Sequence, residues 1–250
     1  MAVLAFTDAE ILAGPLRLTG RSNEIDLTFD GVKLDVTSFD SNGWEECIGG
    51  MRSAMAKVAG FYDVGPVETG ALNLDQQLLS EVAGSQLPLV VAPTKADGSV
   101  AYIAPVKRGN LAVLGTVGDV APFSSDMWGD GAVARGALIH PANVLRTAGG
   151  TGNGVQLGTV ATGRQLLVAI NVTTVTGTTP ALTITVQRDD NAGFTTPTTV
   201  TTLGPTAVPT SSLVAVPGPI TPDDRYRITW TLTGTTPSAR FGVAVGITPA

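Results

Sequence analysis

Apolar and polar residues alternate with a period of two near the start of the chain. Ile25, Leu27 and Phe29 fall on one side of an extended segment, with Glu24, Asp26, Thr28 and Asp30 on the other. Asp30-Gly31 follows, a pair that readily takes the positive-φ geometry of a two-residue hairpin turn. Beyond it Val32, Leu34 and Val36 alternate with Lys33, Asp35 and Thr37. This pattern predicts a short β-hairpin, residues 24–30 and 32–37, with one apolar and one polar face. Residues 40–50 are too polar and Gly-rich for a strand core and are expected as an extended arm. Trp44 lies there beside Glu45 and Glu46, as a local packing anchor or a partner-binding residue. In residues 52–62 Ala, Met and Lys permit a helix, but the closing Gly60-Phe61-Tyr62 favours a strand.

One helix is expected over residues 73–84. Asn73 can cap its free amides, Asp75 complements the positive end of the dipole, and Gly84 supplies a left-handed stop. Leu74, Leu78 and Val82, with Leu79 alongside, form a single apolar stripe. Strands are predicted at 87–92, 99–106, 111–117 and 132–140, with a loop at 118–131. Residues 148–154 (AGGTGNG) read as a flexible linker. Thr-rich strands follow at 165–173, 181–187, 198–203, 213–216, 226–233 and 240–247. Turns separate them, including two TGTTP stretches at 176–180 and 233–237. The expected organisation is mainly β. A β-barrel or sandwich domain with one flanking helix covers 1–147, the linker 148–154, and an all-β sandwich or jelly roll 155–250.

Composition agrees with many short strands and tight turns, since only 14% of the 250 residues are charged and there are 30 Gly and 16 Pro. The longest apolar runs, such as 166–170, fall far short of the roughly 18 residues a membrane-spanning helix needs. Residues 1–11 carry Asp8 and Glu10 with neither a basic start nor a long apolar stretch. No secretory signal is therefore expected, and synthesis is expected in the cytosol. With Cys47 as the sole cysteine, an intramolecular disulfide is excluded. Residues 1–150 hold 10 Lys/Arg against 17 Asp/Glu, a net of −7, while residues 151–250 carry a net of +1. An acidic half of this kind lacks the clustered cations that hold nucleic acid by counterion release. It is still compatible with DNA that slides past without sticking.

Catalytic chemistry finds little to work with. His140 is the only histidine, and neither Cys47 nor any serine has a recognisable nucleophile setting, so no enzyme and no cofactor are expected. One His and one Cys cannot furnish the usual zinc ligands. Residues 149–154 lack the Lys-Ser/Thr pair of a nucleotide loop. Asp126 with Asp130, and Glu45 with Glu46, read as solvated carboxylates rather than glycosidase pairs. Asp119, Asp126 and Asp130 lack the ligand ladder of a calcium loop. Glycan binding by the C-terminal sandwich would use Phe194, Tyr226, Trp230 and Phe241. Tyr226 and Trp230, however, share the even-numbered face with Ile228 and Leu232, which favours burial.

The stretch LTGRSNEIDLTFDGVKLDVTSFDSNGWEECIGGMRSAMAKVAGFYD resembles the major tail protein of bacteriophages with long, non-contractile tails, notably siphophages of actinobacteria. The likeness continues through the 73–84 segment and GNLAVLGTVGDVAPFSSDMWGDGAVARGAL, and again in TGRQLLVAINV and PDDRYRITWTLTGTTPSARFGVAVGI. It rests on the order of elements, not on one motif. The resemblance implies a structural protein of the virion tail, made in the host cytoplasm, whose hexameric rings stack into a hollow tube. The genome passes through that tube during ejection without specific binding. Asp26, Lys33 and Asp35 are then lumen candidates, with Lys33 and Lys57 leaving the net sign of the lining open. Ile25, Leu27, Leu34 and Val36 would pack on the protomer core beneath the helix. Asp40, Asn42, Trp44, Glu45 and Glu46 are candidates for an arm reaching the next ring or neighbour. Implied partners are further copies of the chain, the tape measure, the tail terminator and the distal tail protein, with no membrane. The alternative is a phage adhesion module that binds host-surface glycan through residues 155–250.

Overall fold

The computed structural model describes residues 7–42, 44–63, 65 and 69–249. They form a mainly β chain with one short helix. In chain order the first strands are β1 (Glu10–Ala13), β2 (Leu16–Arg17), β3 (Ser22–Asp35) and β4 (Cys47–Phe61). After helix α1 (Leu74–Ser80) come β5 (Leu87–Ala92), β6 (Val100–Arg108), β7 (Ala112–Val113), β8 (Pro122–Gly129) and β9 (Ala134–His140). The C-terminal part adds β10 (Gly150–Thr151), β11 (Val155–Gln156), β12 (Gln165–Asp189), β13 (Thr198–Thr206), β14 (Thr210–Pro217) and β15 (Arg225–Ile247). All belong to one hydrogen-bonded sheet with a spine β13-β12-β15-β9-β6-β5-β1-β2, from which β8, β4 and β3 branch at β6.

The predicted Asp30-Gly31 hairpin does not form. β3 runs through both residues as one 14-residue strand, and its partner is β4, from Glu24 opposite Ala59 to Asp35 opposite Cys47. Gly31 is not among the positive-φ residues, so the turn geometry its sequence permits is unused. A longer ladder wins because it satisfies the backbone of both strands over most of their length. The reversal comes later, through a 3₁₀ turn at Phe39–Ser41 capped by Ser38 and ended by Asn42 at φ 49°. Residues 47–50, expected in the arm, already belong to β4.

α1 is shorter than expected. Asn73 caps it as predicted, its side-chain oxygen accepting from the Asp75 amide, but the left-handed residue past its end is Ala83 (φ 55°), not Gly84. Leu74 and Leu78 are fully buried against Ala56, Val58, Phe123 and Met127, while Leu79 faces solvent. The predicted strand at 111–117 shrinks to two residues, and the expected loop at 118–131 contains β8. Phe123, Ser125 and Met127 alternate inward along β8, a period of two obscured by the surrounding Asp and Gly.

The two TGTTP stretches are not turns between strands. They sit inside β12 and β15 and pair with each other, Thr178 opposite Thr235, flanked by register shifts. Gly177 and Thr179 on one strand, and Gly234 and Thr236 on the other, take positive φ. These paired bulges bend both strands together. As a result Leu166, Val168 and Ile170 from one end of β12 share a core with Ile184 and Val186 from its other end. Tyr226, Ile228, Trp230 and Leu232 close that core, as their alternation predicts. Residues 148–154 are also not a free strap: Gly150 pairs with Trp230 and Thr151 with Thr229. A buried side chain stitches the chain's two halves, the Asn171 amide donating to the Gly14 carbonyl at 2.6 Å and the Pro88 carbonyl at 3.3 Å.

Candidate functional site

The β3–β4 hairpin has a root and a free end with different faces. At the root, Ile25 and Leu27 pack on the cluster that includes Ala56, Val58, Leu74 and Leu78, as expected. The opposite root face is polar. Asp26 stands opposite Lys57, and Lys57 is opposite Asp126 on β8, so one cation sits between two carboxylates on adjacent strands. The Lys57 ammonium also reaches Glu24 at 3.8 Å. Asn110 anchors Asp126, donating to its carboxylate at 2.6 Å.

Past Gly31 the apolar positions change sides. Because β3 continues without a turn, Val32, Leu34 and Val36 fall on the face opposite Ile25, Leu27 and Phe29. The bulge that absorbs the mismatch is on β4, where Gly50 and Met51 together oppose Val32. Leu34 and Val36, expected in the protomer core, are instead exposed along with Val32 and Ile48. Asp26, Lys33 and Asp35 therefore do not share a face: Asp26 is on one side, Lys33 and Asp35 on the other.

The arm candidates gather at the hairpin's tip. Lys33 and Glu45 form an ion pair at 2.5 Å across its neck. Asp35 accepts from the Thr37 amide at 2.9 Å, and hydrogen bonding from Thr37 holds its carboxyl below the usual range. Thr37 in turn binds Glu46, accepting from its amide at 2.9 Å. Asp40 lies in the 3₁₀ turn, its amide donating to the Ser38 hydroxyl at 3.3 Å. The Trp44 amide donates to the Ser41 carbonyl at 2.9 Å, yet the residue is 79% exposed. Its indole is not a local packing anchor. Gly43, within the expected arm, lies outside the described residues.

Apart from Ser22 at its start, whose amide donates to the Leu18 carbonyl at 3.0 Å, β3 pairs only with β4 among the described residues. Its outer side is a free edge running the length of the hairpin. Such edges are templates for pairing with another chain.

Elsewhere His140, Asp126 and Asp130, which the sequence singled out, have structural partners. His140 is buried against Phe241, stacked at 4.4 Å between ring centroids, and against Trp230. Its Nδ1 lies 2.9 Å from the Phe241 carbonyl, and its Nε2 accepts from Arg146 Nε at 3.0 Å. That pattern requires the neutral Nδ1–H tautomer, and burial lowers the imidazole to about 4. Asp126 and Asp130 are engaged separately, Asp126 by Asn110 and Asp130 by Lys107 at 3.0 Å. Phe194, Tyr226, Trp230 and Phe241 are all buried, so none offers an exposed ring for stacking on a sugar. No helix among the described residues is long and apolar enough to cross a membrane.

Sequence reasoning did not place Asp126 and Trp128 on the polar root face, because β8 looked like a loop. It also missed a groove of about 1010 Å³ beside the hairpin root. No side-chain pattern in the linear sequence marks that groove, since its walls come from β3, β4, β6, β9 and the ends of β12 and β15.

No protein-family model matches the chain, and neither does any curated protein. Solved structures from phage-like tails align with parts of the chain. The tail of an empty gene transfer agent particle with C6 symmetry is 22% identical over 50% of this chain and 93% of that one, with a TM-score of 0.38. The SPP1 tail tube is 12% identical over 54% and 80%, with a TM-score of 0.41. The SPP1 Dit protein, a hub of the adsorption apparatus in phages infecting Gram-positive bacteria, is 13% identical over 97% and 100%, with a TM-score of 0.34. Likenesses at this distance assign no function.

Proposed function

We propose that this chain is a non-enzymatic virion protein, the repeating subunit of a siphophage-type tail tube. The observation that carries this reading is the β3–β4 hairpin, a long ribbon whose outer edge has no strand partner and whose apolar face is exposed among the described residues. Charges at Glu24, Asp26, Asp30, Lys33 and Asp35 discourage indiscriminate pairing along this edge, yet Val32, Leu34, Val36 and Ile48 stay exposed beside it. In a closed ring each hairpin edge pairs with the next copy and the edges vanish, as in a barrel. The resemblance in residues 18–63 supplies the rest: six protomers per ring, rings stacked into a hollow tube, and tape measure, terminator and distal tail proteins at its ends.

In this arrangement the polar root face, with Asp26, Lys57 and Asp126, lines the bore. Lys33 and Asp35 belong with Asp40, Asn42, Trp44, Glu45 and Glu46 in the arm that reaches a neighbouring copy. Carboxylates around the bore repel phosphate over roughly 8–10 Å at physiological salt, so duplex DNA passes without a deep binding minimum. The unit formed by residues 155–250 sits on the outside of the tube.

Negative-stain microscopy of the purified full chain tests the reading. Rings or tubes of uniform diameter are expected as concentration rises. Particles that stay single at high concentration, with sedimentation matching a 25.5 kDa monomer, overturn it.

A further inference from the structure

The groove beside the hairpin root has a floor of Phe29, Tyr102 and Ile247 and a rim that carries Arg135 and Arg164. Phe29 and Tyr102 touch, their ring centroids 5.8 Å apart. Among the described residues neither Arg135 nor Arg164 forms an ion pair within the chain, although Asp30 and Arg52 also border the groove. The lining thus carries three arginines and one carboxylate. At about 1010 Å³ and open to solvent, it matches the upper end of ligand pockets and has room for a segment of polypeptide.

The hairpin tip has the opposite chemistry. Trp44, Leu34 and Ile48 are exposed and apolar, and Asp40 and Glu46 are carboxylates with no ion pair in the chain among the described residues. A tip cannot fold back onto its own groove. The groove wall includes Gly31 and Arg52, and the tip lies roughly 20 Å further along the same extended ribbon, at about 3.3 Å per residue.

We propose that the acidic, Trp44-bearing tip of one copy docks into the Arg135/Arg164 groove of a neighbouring copy. This rests on the tube reading and adds to it the receptor for the arm. The apolar tip residues cover the Phe29–Tyr102 floor, and the tip carboxylates meet the rim guanidinium groups. Arginine suits this role because its planar fork binds carboxylate through two parallel hydrogen bonds.

A charge swap in the full-length chain tests the pairing, with tube formation read by sedimentation and microscopy. Arg135→Glu with Arg164→Glu should raise the concentration needed for assembly at least about tenfold, as should Asp40→Lys with Glu46→Lys. All four substitutions in one chain should bring assembly back toward the unmodified level. That recovery also shows that the groove variant folds. If the unmodified chain forms tubes and the groove variant does so at the same concentration, the docking is wrong while the tube reading stands. If each pair blocks assembly and the combination stays blocked, the partners are wrong. An unmodified chain that never assembles overturns the tube reading and the docking with it.

Discussion

Asp26 of β3 and Lys57 of β4 stand opposite each other at the hairpin root, and β8 brings Asp126 to the far side of the same lysine. The three side chains come from separate stretches of sequence and form one row, with Asp26 and Lys57 exposed and Asp126 half-buried. Replacing Asp26 and Asp126 with lysine turns that row wholly cationic. Tubes should still form, because these residues are outside the apolar cluster, but genome ejection should slow, and added salt should relieve the slowing. Asp35→Lys, on the other face, should leave ejection unchanged. Equal ejection rates in all these virions would remove charge repulsion from the mechanism.

On the proposed tube reading, Trp44 serves association and not the protomer. At 79% exposure it has little packing to lose, so Trp44→Ala should leave the melting temperature unaltered. A buried Trp at an interface is commonly worth 2 kcal/mol or more on truncation, so the concentration required for assembly should rise about thirtyfold. Removal of residues 41–49 should abolish polymerisation altogether. Sedimentation velocity and thermal melting on the same samples separate the two effects.

Arg108 is fully enclosed, and its Nη1 meets Glu81 Oε2 at 2.7 Å, tying the end of α1 to β6. Desolvation pulls the guanidinium below its ordinary range, and Glu81 opposes that shift. Breaking the pair with Glu81→Ala strands a buried charge and should cost about 3–5 kcal/mol in urea unfolding. Glu81→Leu combined with Arg108→Met should recover most of that loss, because neither charge is then left inside.

His140 gives stability a defined dependence on acidity. Its imidazole is lowered from 6.5 to about 4 by burial, so between those values the unfolded chain binds a proton that the folded chain refuses. Stability from this group is therefore present above about pH 6.5 and falls as the pH drops toward 4, by at most about 3 kcal/mol. His140→Gln should be less stable at pH 7 yet lose less between pH 6.5 and 4. Parallel denaturation curves for the two proteins across that range would show that the histidine is not held neutral.

Much of the architecture was readable from local pattern. The Ile25–Leu27 alternation, the Asn73 cap, the Leu74–Leu78 stripe and the inward face at Tyr226, Ile228, Trp230 and Leu232 each depend on neighbours within a few residues. Hydrophobic period and backbone geometry act at that range. The same local rules misread Asp30-Gly31. A strand that leaves its core for open solvent moves its apolar positions to the other face, and in sequence that switch looks like a turn between two strands. At TGTTP the local signal was right about positive φ and wrong about its use, because the two motifs meet as opposed bulges.

The sequence by itself settled the β character of the chain and which positions point inward at Ile25 and Leu27 and along Tyr226, Ile228, Trp230 and Leu232. Those properties follow from side-chain chemistry and a period of two. Only the tertiary structure decided that β3 pairs with β4 over its whole length, that Lys57 lies between Asp26 and Asp126, and that Arg135 and Arg164 rim one groove. Antiparallel register between strands dozens of residues apart is set by the sum of many weak pairings. No single residue carries that sum, so it becomes visible only when the sheet is assembled.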